Sequence, residues 1–67
     1  MIKYAVLNPS DGSYTFAATE LKRDKLIQAF ALEFYLSHVH GVPYSVVEVK
    51  EDGSEQWRSP EGLSNGA

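Results

Sequence analysis

The sequence predicts a small α+β domain in which two β-hairpins flank and pack on one α-helix, in the order ββαββ. Three observations predict it. The stretch from Thr19 to His40 contains no glycine or proline and is rich in Leu, Ala, Lys and Glu, which lose little conformational freedom in a helix. On either side lie short segments of alternating or β-branched residues, the strand signature. Each flank is also broken by a run of turn formers, Asn8-Pro9-Ser10-Asp11-Gly12-Ser13 before the helix and Glu51-Asp52-Gly53-Ser54 after it.

The first strand is expected over 2–7, with Ile2, Tyr4 and Val6 on one side and Lys3, Ala5 and Leu7 on the other. After the turn run, 14–18 resumes the alternation, with Tyr14, Phe16 and Ala18 facing together. A hairpin with a rather long loop joins the two. The helix is expected over 20–40, with Thr19 as its N-cap and Glu20 in the first turn. Gly41 suits the left-handed residue that closes a helix, and Pro43 prevents its continuation. The third strand is expected over 44–50 and the fourth over 55–59, joined by a turn carrying the Asp-Gly pair favoured in hairpins. Trp57 is the expected core anchor of the last strand. Residues 1–59 then form the domain, and 60–67 read as a flexible tail.

With 67 residues and no cysteine, the chain has room for one thin core and no disulfide to support it. No apolar run approaches the ~20 residues of a membrane span, and the absence of cysteine fits a reducing compartment, so a cytoplasmic location is expected. The net charge of −3 is unevenly placed. Acids and bases balance up to Val47, and the excess falls in Glu48, Glu51, Asp52, Glu55 and Glu61 against Lys50 and Arg58. An acidic balance argues against general nucleic-acid binding, which needs Lys and Arg to displace counterions from phosphate.

Apolar residues on the helix form two stripes at about 100° per residue. Leu26, Ile27, Phe30, Ala31 and Phe34 make one; Leu21, Ala29, Leu32, Leu36 and Val39 make the other, with Tyr35 on a polar strip between them. One sheet covers one stripe. The second must meet wrapped loops, a second copy of the chain or a different protein. The association surface is accordingly expected at Leu32, Tyr35, Leu36 and Val39. A charged contact surface is expected at Lys22, Arg23 and Lys25, bases that oppose the helix dipole, together with Glu48, Glu51, Asp52 and Glu55 of the acidic hairpin.

Little else carries chemistry. His38 and His40 are about 200° apart on a helix, so one helix cannot aim both at a single ion. No nucleophile elbow or phosphate-binding glycine loop occurs. No catalytic residue, cofactor or metal is expected, and no small-molecule substrate. The ββαββ layout with an acidic hairpin is similar in general style to small phage or mobile-element inhibitors, and that likeness of organisation implies a protein that binds and blocks a larger machine. The expected function is a non-enzymatic protein-binding module, homodimeric through its helix, that modulates or inhibits a larger protein partner. The alternative is a nucleic-acid accessory protein using Lys22, Arg23, Lys25 and the strand aromatics.

Overall fold

The computed structural model describes residues 1–59; the expected tail, 60–67, lies outside the described residues. The elements run β1 (Tyr4–Leu7), β2 (Tyr14–Ala18), α1 (Arg23–His40), β3 (Ser45–Val49) and β4 (Glu55–Trp57). The fold is α+β in the order ββαββ. All pairings are antiparallel, and the strands form one sheet in the order β2-β1-β3-β4. The first strand therefore lies inside the sheet, paired with β2 on one side and β3 on the other, and α1 carries the chain over it.

The helix begins at Arg23, later than a Thr19 cap would have it. The Lys3 N–H donates to the Ala18 carbonyl at 2.7 Å, so the chain is still held in the sheet at Ala18. A few extended residues are then needed to lift it to the helix layer. Lys22 takes the N-cap position in an extended conformation, and its side chain makes no capping hydrogen bond. The other end follows the expectation. Gly41 adopts φ 70°, a left-handed conformation that disfavours residues with a Cβ, and its N–H donates to the Ser37 carbonyl at 3.0 Å. The Ser37 hydroxyl in turn accepts from the Tyr44 N–H at 3.0 Å, which fastens the start of the second hairpin to the last helical turn.

The core lies between α1 and one face of the sheet. Tyr4, Val6, Ala18, Tyr44 and Val46 meet Leu26 and Ala29, with Phe16, Phe30, Leu32, Leu36 and Val42 packed partly buried around them. Strand alternation sends Ala5 and Val47 to the opposite face, yet both are fully buried.

Two side chains depart from the simple alternation. Val6 pairs with Phe16 but Leu7 pairs with Tyr14, so Thr15 is an extra residue in β2. Its hydroxyl donates to the Val6 carbonyl at 3.3 Å. This bulge turns Tyr14 onto the face of Leu7, away from Phe16 and Ala18, with which the sequence had grouped it. Trp57 pairs with Val47 on the open face and is 77% exposed, so it is not a core anchor. The reason is its place: β4 is a three-residue edge strand, and the helix lies on the other side of the sheet.

Candidate functional site

The helix is apolar on nearly all sides, and the sheet covers only half of it. Leu26 and Ala29 are buried, and Phe30, Leu32 and Leu36 are packed partly buried against the core. On the opposite side Ile27, Phe34 and Tyr35 are 46%, 74% and 61% exposed. Ala31 lies among them and is exposed as well. These residues form a continuous face: 27, 31, 34 and 35 are separated by steps of three or four residues along one side of the helix.

This geometry redraws the expected association surface. Leu32 and Leu36 pack against the core, whereas Tyr35 and Val39 stand exposed. The uncovered residues Ile27, Ala31 and Phe34 belong instead to the stripe grouped with Leu26 and Phe30. The sheet takes a sector centred between the two stripes, with Leu26 and Phe30 from one and Ala29, Leu32 and Leu36 from the other. Ala29, fully buried, explains the choice: a small side chain at that point lets the helix lie close on the sheet, and larger neighbours pack to either side. The regular spacing Asp24, Ile27, Ala31, Phe34, His38 was the available sequence signal for the outer face, obscured because apolar residues occur on every side.

The expected charged surface is largely occupied within the chain. Lys22 pairs with Glu20 at 3.3 Å, and Glu48 holds Lys50 at 3.0 Å and Arg58 at 3.6 Å. Glu55 accepts a hydrogen bond from the Tyr14 hydroxyl, which raises the Tyr14 pKa above the usual tyrosine value. Asp52 is committed to its own turn. One of its oxygens accepts from the Ser54 N–H at 2.9 Å and the Ser54 hydroxyl at 2.7 Å, and those bonds lower its pKa. Asp11 accepts the same pair of bonds from Ser13, at the same distances, and they lower its pKa as well. The repeated tripeptide Asp-Gly-Ser, at 11–13 and 52–54, thus builds both hairpin loops, with each glycine at positive φ. Glu51 and Arg23 are exposed. Glu33, on the inward side of α1, has its pKa raised by burial.

The remaining features are local. His40 Nδ1 lies 2.6 Å from the Tyr44 hydroxyl, the rings 5.6 Å apart and tilted by 56°, while His38 stands on the outer side of the helix. The two histidines are not brought together, and among the described residues no group of three His, Asp or Glu side chains gathers to hold a metal ion. A cleft of about 210 Å³ between the end of β2 and the start of α1 is lined by Phe16, Ala18, Glu20, Lys25 and Gln28; ligand sites typically offer ~300–1,000 Å³. Among the described residues no helix is long and apolar enough to cross a membrane. Compared with protein-family models, with curated proteins and with solved structures, the chain matches none.

Proposed function

We propose that the chain is a small non-enzymatic protein-binding module that works as a homodimer, joined through the outer face of α1, and modulates a larger protein. The observation that carries this reading is the exposure of Ile27, Phe34 and Tyr35 on one helix face. Keeping apolar side chains of this size in water forgoes ~1.5–3 kcal/mol each. A domain of this length has a total stability of roughly 3–10 kcal/mol, so a second copy that covers the face adds a large fraction of that. The larger protein is assigned to the other end of the molecule. Trp57 projects from the edge strand with 77% of its surface exposed, and tryptophan is the side chain that heterologous interfaces most often bury as an anchor. Glu51 and Glu55 in the same hairpin favour a basic surface on that partner. A cytoplasmic setting completes the reading, supported by the absence of cysteine.

The test is absolute mass in solution by light scattering over a micromolar concentration series, for the wild type and for Phe34→Glu. A concentration-dependent dimer that the substitution converts to a folded monomer supports the proposal. A wild-type monomer throughout, or a dimer that Phe34→Glu leaves intact, removes the helix face as its basis.

A further inference from the structure

We infer that the second copy lies antiparallel on α1 and crosses it beside Ala31. The inference rests on the reading of the outer face as the self-association surface and adds its geometry. The exposed stripe runs Asp24, Ile27, Ala31, Phe34, His38. Its spacings alternate between three and four residues, the period that keeps one seam turned towards a partner helix. Ala31 stands at the middle of that run, between the large side chains of Ile27 and Phe34. Helix axes approach most closely where the contact side chain is small, so the two copies cross there. A twofold axis beside Ala31 sets Ile27 of one copy against Tyr35 of the other and closes the seam with Asp24 against His38 at both ends.

The charges at the helix ends select this direction. At the start of α1 the helix's own amides carry partial positive charge, and Lys22 there is already paired with Glu20. In a parallel pair that start lies beside its own copy, amide end against amide end. In an antiparallel pair it lies beside the carbonyl end of the other helix, whose partial charge is negative. Asp24 meets His38 in the same arrangement, instead of a second Asp24. Of the other charged groups of α1, Lys25 and Glu33 lie on the inward side, and His40 is engaged with Tyr44.

The chain has no cysteine, so each introduced thiol is unique. Ala31→Cys, Asp24→Cys and His38→Cys are prepared singly, checked by circular dichroism, and treated with a short bismaleimide at a concentration where the wild type is dimeric by light scattering. The Ala31→Cys variant is expected to cross-link to itself. Asp24→Cys and His38→Cys are expected to cross-link when mixed and not when treated alone. Self-cross-linking of either end variant alone would overturn the antiparallel arrangement in favour of the parallel one. A dimer that traps neither the Ala31→Cys variant nor the mixture would overturn the crossing point. A wild-type monomer at every concentration would instead remove the homodimer itself, so the light-scattering arm separates failure of the geometry from failure of the reading beneath it.

Discussion

The Tyr14 hydroxyl donates a hydrogen bond to the Glu55 carboxylate, joining the two outermost strands of the sheet although β1 and β3 lie between them. Tyr14 pairs with Leu7 near one end of the sheet, and Glu55 pairs with Val49 near the other. They occupy diagonal corners of the face away from the helix. The twist of an antiparallel sheet brings such corners together, and the Thr15 bulge is what puts Tyr14 on that face. Ala5 and Val47, fully buried on the same face, belong to the two strands that the link passes over.

Tyr14→Phe removes the hydroxyl and keeps the ring. The site is close to solvent, so the expected loss is at the low end of a hydrogen bond's net contribution, about 0.5–1 kcal/mol. Its pH dependence identifies the cause. The folded-state pKa of Tyr14 is raised above its ordinary value of 10.0, so the stabilisation is complete below that value and fades as pH rises through the folded pKa. Urea titrations at pH 8 and pH 11 should show the gap between wild type and Tyr14→Phe narrowing in alkali. A gap that stays constant would mean the hydroxyl acts by some route other than donating to Glu55.

The twin Asp-Gly-Ser loops predict behaviour at the acid end. Asp11 and Asp52 have pKa values below the ordinary 3.8, chiefly because each accepts from the side chain and the backbone of the serine two residues on. Their contribution is present above the unfolded value and is lost as pH falls through the folded one. An NMR titration of the carboxyl carbons should place both midpoints below 3.8. Ser13→Ala should move Asp11 back up and leave Asp52 where it was. An Asp11 midpoint that ignores Ser13→Ala would refute the assignment.

An uncapped helix start invites improvement. Lys22 sits at the N-cap with extended backbone angles and no capping bond. Its ion pair with Glu20 joins side chains 63% and 54% exposed, so losing it costs little. Lys22→Ser should therefore stabilise the fold by about 1 kcal/mol, the usual benefit of a serine that accepts from the first-turn amides. Thermal melts compare the two directly; an unchanged or lower midpoint would show that the cap does not form.

Trp57 and its cross-strand neighbour should respond oppositely to truncation. Trp57→Ala is expected to change stability by less than ~0.5 kcal/mol, as for other surface substitutions, whereas Val47→Ala, at a site with no exposed surface, should cost about 2 kcal/mol. Chemical denaturation of both variants decides whether the indole is a structural element or a free contact group.

What the sequence made legible is what local chemistry determines. The helix end at Gly41 and Pro43 follows from backbone preferences, and the two hairpins follow from their turn residues. The features that stayed hidden depend on partners distant in the chain. Nothing local says that β1 pairs with β3 as well as β2, or that Thr15 is an inserted residue in the ladder. Trp57 reads as core because of its size, and only the strand order places it at an edge, on the side without a helix. The helix start moved for a similar reason, since the bond from Lys3 to Ala18 keeps the preceding residues in the sheet. Leu32 and Leu36 could not be told from Ile27 and Phe34 by hydrophobicity, because packing around Ala29 decides which sector turns inward.

The placement of β1 inside the sheet also sets a timetable for folding. During synthesis Tyr4–Leu7 emerges before its partners and can pair with β2 as soon as that strand follows, but its other edge waits until Ser45–Val49 has been made. Until then that edge is open and α1 has half a sheet to pack on, so a nascent chain has little means of holding native structure. Closing such long-range contacts is the slow part of folding a mixed domain. The first hairpin and helix alone should accordingly remain loosely ordered, with stable structure arriving in one step when β3 and β4 are released.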